Sequence, residues 1–67
     1  MRVFKFGPEE VVDAPILTIT IDLDAIVMFQ ETPYEGRVLR GVYLANGYSI
    51  SLTKSGFDRV MAAWKTT

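Results

Sequence analysis

The chain has 67 residues, no cysteine and no histidine, with seven Lys and Arg against eight Asp and Glu. That length allows one domain. The missing residue types remove a disulfide framework, a thiolate nucleophile, the usual zinc ligands and the commonest general base. Apolar residues make up 49% of a chain that carries a net charge of −1, so the composition predicts a small domain that binds something rather than an enzyme.

In chain order, Val3, Phe4, Lys5 and Phe6 read as a short strand, stopped by Gly7-Pro8. Proline lacks the amide hydrogen that a strand ladder needs. The acidic stretch that follows, with Glu9, Glu10 and Asp13, reads as irregular, and residues 1–15 read as an N-terminal arm on a core of residues 16–67. Residues 16–21, Ile-Leu-Thr-Ile-Thr-Ile, are β-branched except for Leu17 and alternate by side, so they predict a strand with Leu17, Ile19 and Ile21 on one face. Asp22-Leu23-Asp24 predicts a short turn, because aspartate bonds to nearby backbone amides. Residues 25–30 predict the next strand, and residues 31–36, with Thr32-Pro33 and Glu35-Gly36, a loop.

The strongest local signal is Asn46-Gly47 between two strand-like runs, residues 37–45 and 48–53. Asn-Gly suits a two-residue type I′ hairpin turn. A two-residue turn sets Tyr43 opposite Ile50 and Gly41 opposite Leu52. That register puts Val38, Arg40, Val42 and Leu44 on the other side, beside Ser49, Ser51 and Thr53. Ser55 reads as a helix cap, with Asp58 three residues on in the capping-box position. Phe57, Val60, Met61 and Trp64 then form one apolar stripe of a helix over residues 55–65.

These elements predict an α+β domain: a small antiparallel sheet of four to five strands with one C-terminal amphipathic helix packed on one face, the Tyr43/Ile50/Leu52 face. The runs 21–26, 42–50 and 55–64 resemble the hairpin-plus-terminal-helix core of very small bacterial and phage proteins, such as FlbD-type flagellar regulators and LytTR-type DNA-binding domains. No functional residue is carried over from that resemblance.

Parts for catalysis are missing. Ser49, Ser51 and Ser55 have no base beside them in the sequence, and the glycines match no phosphate-binding loop. Asp22 and Asp24 are spaced as paired carboxylates, yet without the rest of a cation loop they read as turn residues. No metal or cofactor is expected. The expected function is therefore a non-enzymatic protein-binding module, a regulator, inhibitor or accessory factor. It is expected to self-associate through the Val38, Arg40, Val42, Leu44 and Tyr34 surface or by pairing of edge strands. A second expectation is a nucleic-acid-binding β domain using Arg37, Arg40, Lys54, Tyr34 and Tyr48. A third is a minor structural subunit of a phage or other particle.

Residues 1–36 hold two basic residues against seven acidic ones, and residues 37–67 five against one. Either the two halves form a bipolar surface or they interleave in the fold. No run of apolar residues is long enough for an export signal or a membrane span, so the cytoplasm is the expected compartment and no membrane is expected as a partner.

Overall fold

A computed structural model describes residues 1–12 and 18–66. The described elements are β1 (Val3–Phe6), β2 (Ile19–Asp22), a 3₁₀ turn (Leu23–Ala25), β3 (Ile26–Tyr34), β4 (Arg37–Leu44), β5 (Ser49–Leu52) and α1 (Lys54–Lys65). The fold is α+β with five strands and one terminal helix, as the sequence predicts. The strands divide into two antiparallel sheets, β1-β2 and β3-β4-β5.

β1 alternates cleanly, with Phe4 and Phe6 buried and Val3 and Lys5 exposed. It pairs with β2 so that Phe4 lies opposite Ile21 and Phe6 opposite Ile19. Of the expected N-terminal arm, residues 1–12 pack onto the rest of the chain: Phe4, Phe6 and Val11 belong to the core, because the helix alone cannot cover the apolar side of both sheets. The remainder of that arm, and residues 16 and 17 of the predicted strand, lie outside the described residues. Asp22 closes the turn as expected, accepting a hydrogen bond from the Asp24 amide at 2.9 Å.

Two turns differ from the sequence reading, and together they set the fold's geometry. Residues 31–34 are strand rather than loop. β3 and β4 are joined by Glu35-Gly36 alone, with Tyr34 opposite Arg37. Glu35 (φ 50°) and Gly36 (φ 80°) both have positive φ, which identifies a type I′ turn at this site. At the second hairpin only Gly47 has positive φ. The Gly47 amide donates to the Leu44 carbonyl at 3.0 Å, and the Leu44 amide to the Tyr48 carbonyl at 2.8 Å. The loop therefore has three residues, Ala45-Asn46-Gly47, in the form of a type I turn followed by a glycine bulge.

One extra loop residue moves the register by one and exchanges the faces of β4 relative to β5. Val42 lies opposite Ile50, Arg40 opposite Leu52 and Tyr43 opposite Ser49. Val42 is fully buried, at 0% exposure, and is core rather than surface. Its partly buried neighbours Leu44, Ile50 and Phe29 pack on the same cluster. The helix thus covers the Val42/Ile50/Leu52 side, and the predicted Tyr43/Ile50/Leu52 face is corrected.

The helix begins one residue earlier than predicted, and its cap is Thr53, not Ser55: the Thr53 hydroxyl accepts a hydrogen bond from the Gly56 amide at 3.3 Å. Asp58 consequently lies outside the capping-box position and pairs with Lys54 at 2.6 Å. The predicted apolar stripe holds. Phe57 and Val60 are buried, and Phe57 and Trp64 both meet the Phe29 ring edge-on, at 5.9 and 5.2 Å between centroids.

The N-terminal segment is fastened to the helix by Glu10. Its carboxylate receives the Arg59 guanidinium at 2.6 Å and the Gly7 amide at 2.7 Å. Arg59 also lies 4.3 Å over the Phe4 ring. The Arg59 hydrogen bond and then the Gly7 amide hold the Glu10 carboxyl at about 2, well below its usual 4.5. This pair and Glu31–Arg40 join the acidic and basic halves of the sequence, so the charges interleave.

Candidate interaction surface

β5 pairs with β4 only over Arg40–Tyr43, whereas β3 and β4 pair along their whole lengths. The distal β3-β4 hairpin therefore projects as a two-stranded arm, and every residue from 30 to 39 is exposed. The described molecule is correspondingly elongated, 37 Å by 24 Å by 22 Å. With α1 on the inner side of the three-stranded sheet, no other described element covers the outer side. The register and the strand alternation place Met28, Gln30, Leu39, Gly41, Tyr43 and Ser51 on that outer side.

Gly41 forms the floor of a shallow concavity of about 260 Å³. Leu39 and Tyr43 stand two residues to either side of it, with Gln30 across on β3 and Ser51 across on β5. A Cβ at Gly41 would approach the Ile50 carbonyl to 3.0 Å, so the close strand pairing favours glycine and leaves the notch open. Leu39 (46%) and Tyr43 (37%) are substantially exposed.

The expected interface residues separate into three groups. Tyr34 (52%) and Val38 (43%) are exposed on the arm. Arg40 lies at the base of the arm, its side chain 19% exposed and bonded to Glu31 at 3.2 Å. Val42 is core and Leu44 packs against the core, so neither is available as a contact. Sequence reasoning missed Met28, Gln30, Leu39, Gly41 and Ser51 as surface residues and placed Tyr43 inside. The missed signal is Glu35-Gly36: read as a two-residue turn, it puts Phe29 opposite Val42 and extends β3 into an arm.

The residues expected for nucleic acid do not form one groove. Tyr34 and Arg37 sit at the tip of the arm, and Tyr48 beside the opposite hairpin loop. The length of β4 separates those ends by about 23 Å. Arg40 is engaged by Glu31 and Lys54 by Asp58.

The outer edge of β3 carries three protections against strand addition. A register shift lies between Ile26 and Met28, and Glu31 and Pro33 follow it. The two-residue turn makes Tyr34/Arg37 a hydrogen-bonded pair, so residues 29, 31 and 33 turn their backbone groups outward. Pro33 therefore withholds a donor from the open edge, and Glu31 places a charge beside it. These features disfavour strand addition along the β3 edge.

Asp22 and Asp24 are satisfied within the protein. Asp22 accepts from the Asp24 and Arg2 amides, and these bonds, the Asp24 one foremost, lower its pKa. Asp24 pairs with Arg2 at 2.9 Å. Among the described residues no group of three or more His, Cys, Asp and Glu side chains is arranged to hold a metal ion. No described helix is long and apolar enough to cross a membrane. No protein-family model, curated protein or solved structure matches the chain.

Proposed function

We propose that this chain is a non-enzymatic protein-binding module that docks through the outer face of its three-stranded sheet and the projecting β3-β4 arm. The observation that carries this reading is the arm itself. A two-stranded ribbon with both faces in water is marginally stable alone, yet this one displays Tyr34, Val38 and Leu39. Burial against another protein would remove those side chains from water and fix the ribbon at the same time. The residues around the concavity support binding rather than chemistry: Ser49 and Ser51 line it with Gln30, Thr32 and Tyr43, and no carboxylate does.

A photo-crosslinking side chain placed at position 39 tests this reading, with one at position 3 as the control. Val3 is exposed on the other sheet. Expressed in its host, the chain should give a discrete protein adduct from position 39 and none from position 3. Equal labelling from both positions, or none from position 39, overturns the proposal.

A further inference from the structure

We propose that one occupant of the outer face is a second copy of this chain, with Tyr43 of each copy seated in the Gly41 notch of the other; this rests on the protein-binding reading above. The face is self-complementary in shape. It carries a partly exposed ring, Tyr43, on the wall of a concavity floored by Gly41, two residues away on the same side of the same strand. A two-fold axis crossing β4 at Val42 brings Tyr43 over the other copy's Gly41, and Gly41 under the other copy's Tyr43. It also sets Leu39 over the small Ala45. Such an isologous contact needs one patch only.

The charge distribution favours the same occupant. The sequence has fifteen charged residues, seven basic and eight acidic. Yet Met28, Gln30, Thr32, Leu39, Tyr43, Ser49 and Ser51 place none on the outer face, Arg37 stands only at the arm's tip, and Arg40, which borders the concavity, is paired with Glu31. Two copies brought face to face therefore meet no like charge, whereas a charged patch would repel its own image. Hydroxyls and the Gln30 amide around the notch give the Tyr43 hydroxyl hydrogen-bond partners when it leaves water.

The small size of the face points to a weak contact. Two strands along about 25 Å, with the third beside them for only about 13 Å, give roughly 300 Å² a copy, or about 600 Å² buried by two copies, below the range of stable specific interfaces. The dimer is accordingly weak and concentration-dependent, with a dissociation constant of order 100 µM.

Sedimentation across about 10 µM to 1 mM tests this. The mass should rise from the 7.5 kDa of one chain toward twice that value. Leu39→Glu and Tyr43→Ala should each weaken association at least about tenfold, while Val3→Lys leaves it unchanged. Circular dichroism and a cooperative melt establish that each variant is folded. Either substitution alone suffices for the test if the other does not fold. A wild-type chain that stays at single-chain mass at the top concentration overturns the proposal, as does a dimer that survives the face substitutions. A monomer that still crosslinks another protein from position 39 removes the second copy while leaving the protein-binding reading in place. Loss of both results removes both.

Discussion

Val42→Ala is the substitution that discriminates between the two possible faces of β4. Val42 is fully buried against Phe29, Ile50 and the helix, while Tyr43 beside it is more than one-third exposed. Replacing valine by alanine deletes two methyl groups, a transfer loss of about 1.6 kcal/mol. Incomplete collapse around the vacated space brings the expected cost to about 2–3 kcal/mol. A domain of this length has about 3–10 kcal/mol of stability, so a large part of it should go. Tyr43→Ala removes a side chain resting on an open face and should cost about 1 kcal/mol or less. Urea unfolding measures both; the midpoint for Val42→Ala should fall by about 2 M or more at unchanged slope, given a slope near 1 kcal/mol/M. The two-residue register at Asn46-Gly47 predicts the reverse ranking. A Val42→Ala cost below about 0.5 kcal/mol together with a Tyr43→Ala cost above about 2 kcal/mol would refute the assignment of faces.

Two further expectations concern the contact between residues 7–10 and the helix. Because the folded-state pKa of Glu10 lies near 2 against a usual 4.5, its contribution is present above pH 4.5 and disappears as the pH falls toward 2. Screening at the half-exposed Arg59 reduces it to about 1–2 kcal/mol, so wild type and Glu10→Gln should differ by that amount at pH 7 and converge near pH 2; a gap that does not narrow contradicts the pairing. Gly56→Ala should destabilise the fold by about 1–3 kcal/mol despite alanine's better helix propensity, since a Cβ there would lie 2.5 Å from the Glu10 carbonyl oxygen. A rise in melting temperature would show that the chain does not cross the helix start so closely.

Much of the architecture was legible from local pattern. The β-branched alternation in residues 18–21, the Asp22 turn and the apolar stripe from Phe57 to Trp64 are local features whose physics acts over a few residues. The candidate surface was only half legible. Tyr34 and Val38 emerged as exposed, whereas Val42 and Tyr43 exchanged sides, because a side is a property of strand pairing and not of a residue. Thr32-Pro33 resembles a loop in sequence. It is strand here because Pro33 sits where its missing amide faces the open edge.

Composition is what the sequence decided by itself: one small α+β domain without cysteine or histidine chemistry, and more apolar strand surface than one helix covers. Tertiary structure decided where that surface lies. Asn46-Gly47 is compatible with a two-residue or a three-residue loop, and local energetics do not separate them strongly. Packing does: the three-residue loop lets Val42, Leu44, Ile50 and Leu52 share one side with Phe29. The alternative sets Gly41 opposite Leu52 and leaves Val42 in water. Burial of that aliphatic set under α1 selects the register, and the same selection leaves Leu39, Gly41 and Tyr43 facing outward.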